Sequence, residues 1–240
     1  MSSVSVIGLD IAKNVFQVHG VDEQGEVVDR RQIRRGQMMV YFSKLPPCLI
    51  GIEACATAHY WGRELRSLGH EVRLIPPQYV KPYVKRNKTD AADAEAICEA
   101  VTRPSMRFVG VKSADQQAVL VLHRSRDLLV RQRTMLSNAI RGHMAEFGVV
   151  EKLGMAGTMR LAKVIDDRND ERIPDLARRA LAEMFKQLYA VLQRIDELKR
   201  DIIVWHKQNA VSQLLEGIPG IGPIAATAIA ATVPDASVFS

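Results

Sequence analysis

The sequence predicts an α/β domain followed by an all-α region. Apolar segments rich in β-branched residues recur at Val4–Asp10, Cys48–Ile52 and Glu71–Ile75, with helical spacing between the last two. Beyond Pro104 the period changes to that of long helices, with arginines set between the apolar positions. A chain of 240 residues is long enough for one large or two modest domains, each with its own core.

The elements follow in order. Val4–Asp10, Asn14–His19 and Glu26–Ile33 read as strands, and the turn residues between Gly20 and Gly25 make them a meander. Gln37–Leu45 reads as a short helix stopped by Pro46-Pro47. Strand Cys48–Ile52, helix Ala58–Leu68 closed by Gly69, and strand Glu71–Ile75 come next. Pro76-Pro77 opens another short helix, and Asp90–Val101 forms one more. Three antiparallel strands followed by alternating helices and strands is the element order of the ribonuclease H-like fold. That likeness is an analogy of architecture, and it predicts that the first and fourth strands lie side by side.

Ala114–Phe147 has helical periodicity and many arginines, and Gly148–Asp170 reads as a poorly patterned connection. From Pro174 to Gln208 the apolar residues keep a heptad. Leu181, Leu188, Ile195 and Ile202 take one position, and Met184, Val191, Leu198 and Trp205 the other. The same pattern suits a seam between two copies of the chain or a helical hairpin within one. The chain then reaches Gly217-Ile218-Pro219-Gly220-Ile221-Gly222 and an alanine-rich helix.

Composition excludes several classes. No apolar run approaches the ~20 residues needed to span a bilayer, and the N-terminus lacks the pattern of a signal peptide. Cys48, Cys55 and Cys98 fit neither a disulfide framework nor a zinc spacing, so a reduced, cytoplasmic protein is expected. The net charge of +6 is unevenly spread. Val72–Thr89 holds five basic residues (Arg73, Lys81, Lys85, Arg86, Lys88) and no acid. Arg103–Phe147 holds eight, among them Arg124, Arg131 and Arg133, against three acids. Such clustering points to a polyanion, nucleic acid first, although a solvated helix face has the same composition.

Four carboxylates carry the chemistry. Asp10 and Glu53 end apolar strands, and Asp90 and Asp93 open a helix at a spacing that shares one face. Carboxylate oxygens are hard ligands suited to Mg²⁺ or Mn²⁺. Two such ions can activate an attacking oxygen and stabilise the leaving oxygen of a phosphodiester. Any one Asp at a strand end is more often a turn or cap residue; the signal lies in the set. Lys13, close to Asp10, is a candidate phosphate contact. In the Gly217–Gly222 segment, Gly220 and Gly222 permit a tight turn, and the helix that follows offers free N–H groups to a phosphate, as in a helix-hairpin-helix module. His59, Tyr60 and Trp61 could line the acidic site or simply pack, and Cys55 reads as a small core residue.

The segments Gly8-Leu9-Asp10-Ile11-Ala12-Lys13, Glu53-Ala54-Cys55 and Asn87-Lys88-Thr89-Asp90-Ala91-Ala92-Asp93-Ala94, followed by Ile218-Pro219-Gly220-Ile221-Gly222, resemble the DEDD transposases of bacterial insertion sequences. The likeness runs along essentially the whole chain. It implies a RuvC-like domain over residues 1–105, a coiled-coil region over 106–208 and the start of a C-terminal transposase domain over 209–240. It also implies that Asp10, Glu53, Asp90 and Asp93 are the metal-binding catalytic tetrad. The activity implied is cutting and rejoining of DNA, with a structured guide RNA as a further partner and a homo-oligomer formed through the heptad helix.

The family's serine nucleophile lies in a Ser/Gly-rich stretch beyond the position of Phe239, and neither Ser237 nor Ser240 has that context. The 240 residues are therefore expected to lack the nucleophile and to be inactive alone. Two other readings of the acids are a structure-specific nuclease, which needs only carboxylates and water, and a non-catalytic nucleic-acid-binding remnant. A sugar-kinase-like ATPase would need a glycine-rich phosphate loop after Asp10, which Ile11-Ala12-Lys13 does not supply.

Overall fold

A computed structural model of the chain describes residues 3–84 and 89–233. The described residues form two compact units, one within residues 3–116 and one within residues 117–231.

The first unit is built on a five-stranded mixed sheet. Strands β1 (Val6–Ile11), β2 (Val15–Val21) and β3 (Val27–Arg34) make the expected antiparallel meander. β4 (Leu49–Glu53) and β5 (Glu71–Ile75) extend it in parallel, giving the order β3-β2-β1-β4-β5. First and fourth strands are thus neighbours, as the element order predicted, with Gly8 paired to Gly51.

Alternation assigns the two faces of the sheet. Ile7, Leu9 and Ile11 of β1, with Ile50 and Ile52 of β4, are buried in a core that includes Met38 and Phe42 of α1 (Met38–Phe42). Ala58, Trp61 and Leu65 of α2 (Ala58–Ser67) close the same core. The other face is covered by α4 (Asp90–Val101), which follows the short α3 (Pro77–Val80). Two glycines let α4 sit directly on the strands. A Cβ on Gly8 would lie 2.0 Å from the Ala94 carbonyl oxygen and 2.4 Å from the Cys98 nitrogen. A Cβ on Gly51 would lie 2.8 Å from Val101 Cβ and 3.1 Å from Ile97 Cγ2.

The second unit is helical. The long α5 (Ala114–Ala145) ends on a core that Ile140 and Met144 share with α6 (Met155–Asp166) and with Leu181, Phe185 and Leu188 of α7 (Asp175–Gln208). Residues 148–170, expected to be an unpatterned connection, thus contain a helix. Gly154 takes φ +94° immediately before the helix. Gly157 lies inside it because a Cβ there would strike the Lys152 carbonyl oxygen at 1.9 Å. Thr158, Leu161, Ala162 and Ile165 form the buried stripe. Arg178 reaches back from α7 to donate to the carbonyls of Val164, Ile165 and Asp167 at 2.8 Å each, filling acceptors that the end of α6 leaves open.

In α7 the stripe Leu181, Leu188, Ile195 and Ile202 is buried within a single chain. At the other heptad position Val191 is buried, while Met184, Leu198 and Trp205 are only partly so. At its far end α7 leads into α8 (Ala210–Glu216) and α9 (Pro223–Thr232), with the turn at Gly217–Gly222 between them. His123 Nε2 of α5 lies 3.0 Å from Thr227 Oγ1 of α9, which ties this end of the unit.

Candidate metal centre

The position of the acids follows from the glycine contact between β1 and α4. Gly8 and Asp10 are two residues apart on β1 and so face the same side of the sheet. Asp90 lies one helical turn before Ala94, the residue seated on Gly8. Four helical residues advance about 6 Å, and two strand residues about 7 Å. The turn carrying Asp90 and Asp93 is thereby laid over Asp10. Each of the three offers a carboxylate oxygen, and the three atoms lie within 4.8 Å of one another.

The first turn of α4 is fixed by Thr89. Its hydroxyl accepts from the Ala92 N–H at 3.2 Å, and its carbonyl accepts from the Asp93 N–H at 3.0 Å. Acidic groups in a first turn also complement the helix dipole.

Glu53 stands outside this trio but borders the same space. It ends β4 two residues after Gly51, on the strand next to β1. With Asp93 it lines a cleft of about 530 Å³ whose other walls are Pro77, Val80, Lys81 and Val84. Cys55 lies within reach of the charges of both Glu53 and Asp10. Partial desolvation raises its thiol pKa, and the charges of Glu53 and Asp10 push the same way. The residue is exposed, contrary to the core position expected for it, because β4 ends at Glu53 and the chain turns outward.

The other candidates divide. Lys13 is exposed two residues beyond β1. Lys85, Arg86 and Lys88 lie outside the described residues. On α5, Arg124 and Arg131 are exposed one heptad apart, Arg131 pairing with Asp127 at 2.5 Å, while Arg133 is half-buried. Gly220 and Gly222 are exposed in the turn before α9, where Gly220 takes φ +89°. His59, Tyr60 and Trp61 do not line the acidic cleft. His59 Nδ1 accepts from the Lys112 N–H at 3.2 Å, and Trp61 is buried edge-on to Phe16.

Sequence reasoning missed Lys81 as a cation on the cleft wall and the two glycines as its foundations. A signal was present: Gly8-Leu9-Asp10 and Gly51-Ile52-Glu53 repeat one pattern, glycine, apolar residue, acid. A further arrangement invites a catalytic reading and does not carry it. His206 lies 2.8 Å from both Ser212 Oγ and Glu216 Oε2, the order of a nucleophile triad. Ser212 is completely buried, so these contacts clip α8 to the end of α7.

A mixed sheet with carboxylates gathered at one end, followed by a helical unit, is the build of a nuclease-like transposase domain. The family model for transposases of the IS110 type, with the DEDD designation, matches residues 7–148. A probable family 20 transposase of Pseudomonas aeruginosa is 52% identical over 238 residues, covering 99% of this chain and 70% of its own length. The transposase for insertion sequence element IS1328 of Yersinia enterocolitica is 39% identical, covering 98% of this chain and 70% of that protein. The transposase for element IS1111A of Coxiella burnetii is 36% identical, covering all of this chain and 66% of that one. The chain belongs to this transposase family. It spans 60% to 70% of the length of the curated relatives it matches. Among the described residues no helix is long and apolar enough to cross a membrane.

Proposed function

We propose that the acidic cleft of the first unit is the catalytic centre of a metal-dependent DNA transposase with a ribonuclease H-like, RuvC-like domain. The observation that carries this is the convergence of Asp10, Asp90 and Asp93 from two elements to within 4.8 Å. Three carboxylates at that range repel one another, a shared cation relieves that repulsion, and their oxygens are the donor set that Mg²⁺ or Mn²⁺ prefers. The donor set therefore fits the metal, with Glu53 as the fourth member from across the cleft. When bound, such ions polarise a phosphodiester and lower the pKa of an attacking oxygen.

The chain's own residues supply the remainder. Gly8 and Gly51 hold α4 close enough for its acids to reach Asp10. Pro77, Val80 and Val84 line the cleft with apolar surface that limits water, and Lys81 sets a positive charge on the same wall for a phosphate. Lys13 and, from their place in the sequence before Asp90, Lys85, Arg86 and Lys88 are assigned to the DNA backbone. Arg124, Arg131 and Arg133 of α5 and the turn at Gly220 and Gly222 are assigned to phosphates of DNA or of a structured guide RNA. Contacts of this type read backbone and not base sequence. A homo-oligomer formed through α7 is part of the reading, since Met184, Leu198 and Trp205 of its heptad stay partly exposed along the helix.

The test is calorimetric titration of Mg²⁺ and Mn²⁺ into the wild-type chain and into Asp90→Ala/Asp93→Ala. Saturable binding by the wild type and its loss in the double variant is the expected result. Equal heats from the two proteins sink the metal assignment.

A further inference from the structure

We propose that a second pocket of the first unit seats one unpaired base of the DNA strand that enters the acidic cleft; the inference rests on the transposase reading above. This pocket, of about 360 Å³, is lined by Tyr79, Pro82, Tyr83, Ser105, Met106 and Arg107. Its volume falls within the roughly 300–1,000 Å³ of small-ligand sites.

The Pro77–Val84 segment joins the two sites. Pro77, Val80, Lys81 and Val84 recur at helical spacing and line the acidic cleft. Tyr79, Pro82 and Tyr83 fall on the opposite side of the same turns and line this pocket. One short wall therefore separates the carboxylates from a pair of tyrosines, so a strand held at the cleft needs only to fold a neighbouring nucleotide around that wall.

The chemistry of the lining selects the occupant. Tyr79 lines the pocket and is 38% exposed, so its ring is accessible to a ligand. Tyr83 is held in place by the Arg103 guanidinium, 5.8 Å from its ring centroid, and Arg103 is in turn fixed by Glu99 at 2.5 Å. Arg107 is exposed and makes no hydrogen bond or ion pair among the described residues. Among the described residues the lining contains no acid. Rings for stacking beside a free guanidinium for phosphate are the equipment of single-strand binding sites, where aromatic faces accept any base. The same surface cannot read an intact duplex, whose bases expose only their edges. DNA is the assigned source because the cleft across the wall is where the DNA phosphate is placed.

The experiment uses the full chain and a single-stranded DNA oligonucleotide carrying one 2-aminopurine, whose fluorescence responds to stacking. Titrations are run in Mg²⁺ and in EDTA, with matched RNA and duplex DNA as further arms. The wild type and Tyr79→Phe are expected to change the probe's fluorescence on the DNA single strand. Tyr79→Ala should abolish that change and weaken binding by roughly 5- to 100-fold, with Arg107→Ala weakening it further. Thermal melts that match the wild type show that each variant is folded. A Tyr79→Ala variant that stacks the probe as the wild type does overturns the proposal, as does a probe response to RNA alone. The EDTA arm and the Asp90→Ala/Asp93→Ala variant read the pocket without metal, so a failed metal titration refutes the cleft and leaves this result standing.

Discussion

Gly8→Ala tests whether the acidic site is built by contact between β1 and α4. The added methyl would sit 2.0 Å from the Ala94 carbonyl oxygen, where ordinary contact begins near 3.4 Å. The obstacle is helix backbone, which cannot rotate aside, so α4 must retreat by more than 1 Å or tilt. Overpacking of this kind costs about 1–3 kcal/mol, and the upper end applies because no side chain can absorb it. The retreat also carries Asp90 and Asp93 away from Asp10. Metal sites hold their ligand distances to within about 0.2 Å, so a shift of this size should weaken Mn²⁺ binding by about tenfold or more. Gly51→Ala meets Val101 and Ile97 side chains at 2.8 and 3.1 Å, which can adjust, and should cost less on both measures. Urea denaturation gives the stability change and calorimetry the affinity. A Gly8→Ala protein with wild-type stability and wild-type Mn²⁺ binding would refute the claim that this contact sets the site.

Two further outcomes follow from the second unit. Gly142 lies inside α5 with nothing within 4 Å of an added Cβ, so Gly142→Ala should stabilise this unit by about 0.5–1 kcal/mol in urea denaturation. His123 has its pKa lowered from 6.5, first by burial and then by the Arg126 charge. The unfolded chain therefore takes up that proton at higher pH than the folded one, and stability falls as pH drops below about 6.5. His123→Gln, which does not titrate, should melt with a smaller loss between pH 7 and pH 5 than the wild type; identical pH dependence would exclude His123 as a source of it.

How much of this was legible in the sequence depends on whether the determinant was local. The strands, their turns and the side-by-side placement of the first and fourth strands were readable, since alternation and turn residues are local signals. Asp10, Asp90 and Asp93 were also readable as a group, because strand ends and a helix start announce themselves. The difference between that close trio and Glu53 on the cleft edge was not, since it depends on where α4 lies across two strands. The helix α6 was hidden by Gly154 and Gly157, residues that usually interrupt a helix and here make one possible beside the Lys152 carbonyl. The heptad of α7 identified a buried stripe without saying what buries it; for Leu181 and Leu188 the answer, a core shared with α6 and the end of α5, lies in chain topology. Gly8 and Gly51 were visible letters whose meaning appears only once Ala94, Cys98 and Val101 are set against them.

The register of β1 against β4 has a consequence for how this gene tolerates change. Because Asp10 shares a face with Gly8, and Glu53 with Gly51, deleting a single residue between glycine and acid is not a graded lesion. In a period of two it turns the carboxylate to the opposite face, among Ile7, Leu9, Ile50 and Ile52, and points an apolar side chain at α4. Substitution in these strands can be mild or severe by degrees. Insertion and deletion there are all-or-none, so the glycine-to-acid interval should stay fixed in length even where its middle residue varies.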